Sequence, residues 1–101
     1  MKNDGEFFVY MLRCKDGSLY TGYTVDLQNR LKLHQVGKAS KYTRSRGPVE
    51  LVYLEQLATK SEAMKKEANV KKLKKNEKED LIASLTNQLV NEKGRFTTLK
   101  D

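Results

Sequence analysis

The chain has 101 residues, a length typical of one domain. Its 20 Lys and Arg exceed its 13 Asp and Glu and leave a net charge of +7. No apolar run approaches the roughly 18 residues of a membrane-spanning helix, and residues 1–6 lack the apolar core of a secretion signal. We therefore expect a cytoplasmic domain with no membrane contact. The positive charge favours a polyanionic partner, and nucleic acid is the first to test.

Cys14 is the only cysteine in the sequence. A lone cysteine excludes an internal disulfide and any zinc site built from several cysteines. We expect Cys14 to pack as a small core residue.

Two apolar segments at the start of the chain predict a β-hairpin. Residues 7–12 form an aromatic-rich run, the Asp-Gly pair at 16–17 is a strong turn signal, and residues 19–24 return as the second strand. Gly22 lies inside that second strand. A glycine there indicates a bulge or a close approach by another group.

A first helix is predicted to start at Asp26 or Thr24, which can cap it, and to end near Val36, because Gly37 follows. One face of this helix carries, at the spacing i, i+3, i+4, i+7, the residues Leu27, Arg30, Leu31 and His34. We expect that face to meet the sheet.

The middle of the chain predicts a basic loop, a strand and two further helices. Residues 38–47 are the loop, Pro48 ends it, and residues 49–54 read as a third strand. Capping signals at 59–62 and 76–79 predict the starts of the second and third helices.

The third helix has an apolar stripe that should pack on the domain, formed by Leu81, Ile82, Leu85 and Leu89. The pattern fades after Thr86. We therefore expect a single domain over residues 1–86 and a loose or partly helical tail over 87–101.

Glu67 falls in the buried stripe predicted for the second helix, which is formed by Ala63, Met64, Val70 and Leu73. Burial of an unpaired charge costs several kcal/mol, so Glu67 needs a cation, a hydrogen-bond network or a solvent-filled cleft. For this helix considered alone, an ion pair between Glu67 and Arg30 explains the buried carboxylate as well as a metal site does.

Four other polar side chains can join Glu67 in one site. A guanidinium at Arg30 can hold a phosphate through two hydrogen bonds, and His34 lies one turn away. Tyr10 and Tyr20 lie on strands joined by a tight turn. Taken singly, each of these side chains is more often structural than functional. An arginine such as Arg30 commonly lies along apolar surface with its charged head in water, a histidine such as His34 is commonly a hydrogen-bonded core residue, and strand tyrosines commonly pack. Together the five supply base, phosphate clamp, proton relay and metal ligand for phosphodiester hydrolysis.

The order of these residues resembles the GIY-YIG nuclease family. Ordered segments carry the resemblance from residue 7 to about 85: residues 8–10 at its GIY triplet, 20–22 at its YIG triplet, 26–34 at its arginine helix and 61–67 at its glutamate helix. Phe8 replaces the first glycine and Thr21 the central isoleucine, but both tyrosines remain. The likeness is greatest to the small stand-alone bacterial, YhbQ-like group, in which residues 41–44 and 48–52 also have counterparts.

The resemblance implies an α+β fold, a three-stranded antiparallel sheet flanked by helices. It also implies metal-dependent cleavage of DNA, with little sequence specificity, in repair or recombination. Glu67 would bind one divalent ion, Mg²⁺ or Mn²⁺, and Arg30 would steady the scissile phosphate. Tyr10 or Tyr20 would activate water, and His34 would relay a proton.

DNA would be held through its phosphates by basic residues of the loop and of the second helix, namely Lys41, Arg44, Arg46, Lys65, Lys66, Lys71 and Lys72. For each lysine alone, a solvated helix face is an equal alternative. A monomer is the default expectation. The rival functions are a catalytically weak or inactive nucleic-acid-binding module of the same fold and a protein-interaction scaffold.

Overall fold

The computed structural model describes residues 7–91, with the backbone alone at 90 and 91. The elements in chain order are β1 (Phe7–Arg13), β2 (Leu19–Thr24), α1 (Leu27–Gln35), α2 (Lys41–Arg44), β3 (Glu50–Leu57), α3 (Lys60–Lys71), α4 (Lys75–Ile82) and α5 (Gln88–Asn91). The strands form an antiparallel sheet in the order β2-β1-β3, which confirms the predicted α+β class. Within residues 7–91 no helix is long and apolar enough to cross a bilayer.

The turn between β1 and β2 is built as the Asp-Gly signal predicts. Gly17 takes the left-handed conformation, with φ of 87°, and its N–H donates to the Cys14 carbonyl at 2.9 Å. The Ser18 N–H donates to the Asp16 carboxylate at 3.0 Å. This tight turn sets the register of the hairpin.

Side chains alternate between the two faces of the sheet, and each face has its own apolar cluster. The front face, defined as the one that carries Tyr10, packs against α1 through Tyr10, Leu12, Cys14, Leu27, Val49, Leu51 and Leu54. The back face packs against α3 and α4 through Met11, Tyr53, Val70, Val52, Leu81 and Ile82. Cys14 is a buried core residue, as predicted.

Helix α1 has the predicted ends. The Asp26 carboxylate accepts from the Asn29 N–H at 3.2 Å and caps the start. At the other end Gly37 has φ of 79°, and its N–H donates to the His34 carbonyl at 3.2 Å. The Lys38 N–H donates to the Leu33 carbonyl at 2.8 Å. This pair of bonds is a Schellman motif, which satisfies the last carbonyls of the helix.

Two helix starts differ from the sequence predictions. The basic loop contains the one-turn helix α2, capped by the Ser40 hydroxyl, which accepts from the Thr43 N–H at 3.0 Å. Helix α4 begins at Lys75, one residue before the predicted signal at 76–79, because Glu77 reaches back to the N–H of Lys74 at 2.8 Å. Glu79 is instead held by Arg13 through two hydrogen bonds of 2.7 and 2.8 Å.

Two residues predicted to be buried are exposed. Met64 is 44% exposed, because Ala63 and Val70, at 0% and 2%, fill the contact between α3 and the sheet. Leu85 is 76% exposed, because α4 ends at Ile82 and the helical spacing no longer applies beyond it.

Residues 87–89, which the sequence pattern assigns to the tail, contact β3. Asn87 is 1% exposed. Its amide accepts from the N–H groups of Leu54 and Leu89 and donates to the carbonyls of Val52 and Ile82. Asn87 thus satisfies the outer edge of β3, so residues 87–91 belong to the packed domain. The remainder of the predicted tail, 92–101, lies outside the described residues.

Candidate active site

The strand register brings Tyr10 and Tyr20 to the front face. Tyr10 lies opposite Gly22, and Leu12 lies opposite Tyr20. Since opposed residues of an antiparallel pair share a face, the two rings are neighbours, with centroids 6.4 Å apart. A Cβ at position 22 would lie 2.5 Å from the Tyr10 Oη. The close approach predicted at Gly22 is therefore the ring of Tyr10 itself.

A buried hydrogen-bond chain connects Tyr10 to α2. The Tyr10 Oη lies 2.8 Å from His34 Nε2, and His34 Nδ1 lies 2.9 Å from the Thr43 hydroxyl. The Thr43 hydroxyl in turn lies 3.2 Å from that of Ser40. Tyr10, His34 and Thr43 are each no more than 2% exposed. The chain therefore fixes the side chains of β1, α1 and α2 against one another.

The protonation states along this chain follow from burial. Burial, assisted by the positive charge of Arg30, lowers the pKa of His34 to about 4, so the imidazole is neutral at pH 7. Burial is also the main reason that the pKa of Tyr10 is raised, so its phenol keeps its proton. Among the described residues His34 Nε2 is the acceptor that this hydroxyl reaches. We infer that Tyr10 donates to Nε2 and that Nδ1–H donates to Thr43.

The two phenols differ in their access to solvent. Tyr10 is 1% exposed, whereas Tyr20 is half-buried. The Tyr20 ring packs against that of His34, at 5.1 Å between centroids, and against that of Tyr42, at 6.0 Å. Tyr20 is therefore the phenol that can meet a substrate from solution.

Arg30 lies on α1, one turn before His34, and is half-buried. Its positive charge acts on both His34 and Tyr10. Among residues 7–91 Arg30 belongs to none of the ion pairs, so the ion pair with Glu67 that the sequence left open does not form. Its guanidinium remains available for an anion.

Glu67 lies on α3 with its side chain 17% exposed. Its carboxylate is 3.2 Å from Lys71 Nζ, one turn further along the helix. Its negative charge also acts on the hydroxyl of Tyr10. The predicted burial is thus partial, and a local lysine provides the cation that the carboxylate requires.

The donor set fits a lightly held, hydrated divalent ion. In the described part of the chain no three His, Cys, Asp or Glu side chains gather into a cluster. A hard ion such as Mg²⁺ binds through one or two carboxylates, several waters and substrate phosphates, so a single carboxylate is compatible with its chemistry. Lys71 is 55% exposed, so its ammonium can turn to solvent when an ion binds the carboxylate.

The predicted DNA-binding residues divide into two sets on different sides of the sheet. On α2, Lys41 and Arg44 are exposed and have no carboxylate partner in the described range. Arg46, just beyond α2, pairs with Asp16 at 3.3 Å, and its guanidinium lies 4.0 Å from the centroid of the Tyr42 ring. The second set, on α3, belongs to the helix that packs on the back face: Lys65, Lys66, Lys71 and Lys72.

Within the second set, two lysines are already paired. Lys66 lies 3.4 Å from Glu55, and Lys71 binds Glu67. Lys65 and Lys72 are exposed and take part in no ion pair among the described residues.

Sequence reasoning missed Thr43 and Ser40. Thr43 holds the second nitrogen of His34, yet it lies nine positions away in a segment predicted to be a loop. The local signal is the pair Ser40 and Thr43, at the spacing of a helix cap. Nothing in the pattern connects that cap to His34.

The chain matches the family model described as the GIY-YIG catalytic domain over residues 6–80. A UPF0213 protein from Oceanobacillus iheyensis is 52% identical over 79 residues, covering 78% of this chain and 92% of the relative. One from Clostridium perfringens is 53% identical over 77 residues, covering 76% and 83%.

Solved structures agree with these sequence matches. The solution NMR structure of a UPF0213 protein from Bacillus halodurans is 49% identical, covers 79% of this chain and 85% of that one, and has a TM-score of 0.54. That of a protein from E. faecalis is 41% identical, covers 82% and 88%, and has a TM-score of 0.57. With the family match spanning most of the sequence and relatives about half identical, this chain belongs to the GIY-YIG family of nuclease domains.

Proposed function

We propose that the protein is a metal-dependent endonuclease that hydrolyses phosphodiester bonds of DNA with little sequence specificity, in repair or recombination in the cytoplasm. One observation carries the proposal. Arg30 on α1 and Glu67 on α3 lie on different helices, yet both act electrostatically on the hydroxyl of Tyr10. This supports a site in which a phosphate-binding cation and a metal-binding carboxylate act around the neighbouring rings of Tyr10 and Tyr20.

Arg30 would hold the scissile phosphate. Its positive charge acts on Tyr10 and His34, and it forms no ion pair with a carboxylate within residues 7–91. A guanidinium offers two parallel N–H donors to a phosphate and stabilises the negative charge that grows there during displacement.

Tyr20 would take the proton from the attacking water, because it is the phenol with solvent access. A phenol has an ordinary pKa of about 10 and acts as a base near neutral pH only beside positive charge. Tyr10 is unsuited to this step, since burial raises its pKa and its hydroxyl donates to His34. Tyr10 and neutral His34 would instead hold the Tyr20 ring, which packs on the His34 edge.

Glu67 would hold one Mg²⁺ or Mn²⁺ ion. When bound, the ion supplies positive charge against the phosphate oxygens. Lys71, whose Nζ lies 3.2 Å from the carboxylate, would hold it in place before DNA arrives.

The test is nicking of supercoiled plasmid with and without Mg²⁺, followed for wild type, Glu67→Gln and Tyr20→Phe. We expect metal-dependent nicking by wild type and a loss of at least 100-fold in each variant, on the order of the effect of one general base. Salt-sensitive DNA binding, measured by fluorescence anisotropy, should persist in both variants. Glu62→Gln, which makes the same carboxylate-to-amide change at an exposed position of α3, is the matched control for Glu67→Gln.

A catalytically inactive DNA-binding domain is the second candidate, because Lys71 already neutralises Glu67. It predicts DNA binding without metal-dependent cleavage of duplex, single-stranded or branched DNA. That result would replace the nuclease proposal.

A further inference from the structure

The segment between α1 and α2 forms a cleft of about 390 Å³ on the protein surface, lined by Gly37, Lys38, Ala39, Ser40, Lys41 and Arg44. Its lining contains cations and a hydroxyl but no carboxylate. In the part of the chain that the structure describes, its cations take part in no ion pair. The cleft thus concentrates uncompensated positive charge in a concave site, where it attracts an anion most strongly.

Backbone contacts fix the walls of this cleft. The Schellman motif at the end of α1 holds Gly37 and Lys38 through two hydrogen bonds. The stem of Arg44 crosses Gly37 closely, since a Cβ there would lie 3.2 Å from the Arg44 Cγ. Ser40 caps α2. The cleft is therefore formed before a ligand binds, which reduces the entropy lost on binding.

The cleft adjoins the candidate active site. The Ser40 hydroxyl lies 3.2 Å from that of Thr43, and Thr43 lies 2.9 Å from His34 Nδ1. Two hydrogen bonds therefore separate a residue of the cleft wall from the imidazole that holds Tyr10. An anion in the cleft would lie beside the site, on the same face of the sheet.

We propose that this cleft binds a backbone phosphate of the DNA strand, next to the scissile phosphate held by Arg30; the proposal rests on DNA being the substrate. Arg44 offers a planar fork to the phosphate oxygens, while Lys38 and Lys41 provide point charges. The cleft positions the strand and carries no base specificity. It adds Lys38 and Ser40 to the DNA contacts and makes the front face the principal DNA surface.

The first test is the salt dependence of DNA binding. The variant Lys38→Gln/Lys41→Gln/Arg44→Gln is compared with a control that removes the same charge from α3 and α4, Lys60→Gln/Lys74→Gln/Lys78→Gln. Anisotropy of a labelled duplex is measured from 50 to 200 mM salt. Each lost phosphate contact makes the slope of log K against log[salt] less steep by about 0.9. The affinity gained on lowering the salt from 1 M to 0.1 M then becomes about eightfold smaller.

We expect the cleft variant to show this less steep salt slope and weaker DNA binding, and the control variant to show a smaller change in both. The charge-preserving variant Lys38→Arg/Lys41→Arg/Arg44→Lys should keep the wild-type slope. Melting temperatures of all variants, followed by circular dichroism, show that each is folded. Equal slopes in the cleft variant and its charge-matched control would overturn the proposal.

The second test locates the anion directly. Titration of the ¹⁵N-labelled protein with inorganic phosphate should shift the backbone amides of residues 37–44, and the cleft variant should lose these shifts. Absence of the shifts in wild type overturns the cleft as an anion site. The outcomes also separate the two proposals. A salt slope that is steep in wild type and reduced in the cleft variant, without nicking, refutes the nuclease proposal and keeps the cleft proposal. Nicking, with the same slope in the cleft variant as in wild type, keeps the nuclease proposal and refutes the cleft proposal. A wild-type protein that binds no DNA refutes both.

Discussion

Replacement of Gly22 by alanine tests the packing that the candidate site depends on. A Cβ at position 22 would lie 2.5 Å from Oη, 2.6 Å from Cζ and 3.1 Å from Cε1 of Tyr10. The Tyr10 ring cannot retreat freely, because it is 1% exposed and its hydroxyl is bonded to His34. Overpacking of a core costs about 1–3 kcal/mol. Loss of the hydrogen bond adds about 1 kcal/mol. We expect Gly22→Ala to lower the free energy of unfolding by about 2–4 kcal/mol.

Urea denaturation followed by circular dichroism measures this change. Gly47→Ala is the matched control, because a Cβ at Gly47 meets no atom within 4 Å. Its cost should stay within about 0.5 kcal/mol, as for most surface substitutions.

A double-mutant cycle identifies the cause of the cost. In a Tyr10→Leu background the clashing atoms are absent, so Gly22→Ala should cost less than about 0.5 kcal/mol there. In a Tyr10→Phe background the Cζ contact of 2.6 Å remains, so the cost should persist. A Gly22→Ala protein as stable as wild type, or one equally destabilised in the leucine background, would refute the close packing of Tyr10 on β2.

Four further predictions concern single side chains. Asn87→Ala should lose about 2–4 kcal/mol of stability in urea denaturation, because it strips partners from buried amide and carbonyl groups at the β3 edge. Hydrogen bonds and the salt bridge with Arg13 lower the pKa of Glu79 to about 2, so its contribution to folding stability is complete above pH 4.5 and is lost as the pH falls towards 2. Glu79→Gln should remove this part of the pH dependence of the free energy of unfolding, measured by urea denaturation. His34 should titrate near pH 4 by NMR, and since the unfolded chain binds this proton near pH 6.5, stability should fall between those values on acidification. The Thr21 hydroxyl is buried without a hydrogen-bond partner among the described residues, so Thr21→Val should raise the melting temperature.

The elements that the sequence predicts well are those with local causes. The hairpin follows from the Asp-Gly turn, and α1 follows from its Asp26 cap and the glycine at 37. Once the hairpin is given, its register alone puts Tyr10 and Tyr20 on one face. These inferences need only turn chemistry and the period of a strand or helix.

The features that sequence reasoning missed depend on contacts between distant segments. Asn87 pairs with the β3 edge more than thirty positions earlier, and no periodic pattern marks an asparagine for that role. Thr43 is buried where it meets His34 between two helices, a contact that joins separate segments of the chain. Lys71, the ion-pair partner of Glu67, follows it at the spacing i, i+4, which sequence reasoning can recognise. The predicted burial of Glu67 instead favoured Arg30, on another helix, as the partner.

The two tyrosines occupy similar triplets, yet the sheet gives them different chemistry. Tyr10 lies on the central strand, where Gly22 leaves space for its ring and His34 accepts a hydrogen bond from its hydroxyl. Tyr20 lies on an edge strand and keeps contact with solvent. Because a general base must reach the water that it deprotonates, the edge tyrosine suits that role. In the proposed mechanism the central tyrosine would support it through His34, whose ring lies 5.7 Å from that of Tyr10 and 5.1 Å from that of Tyr20.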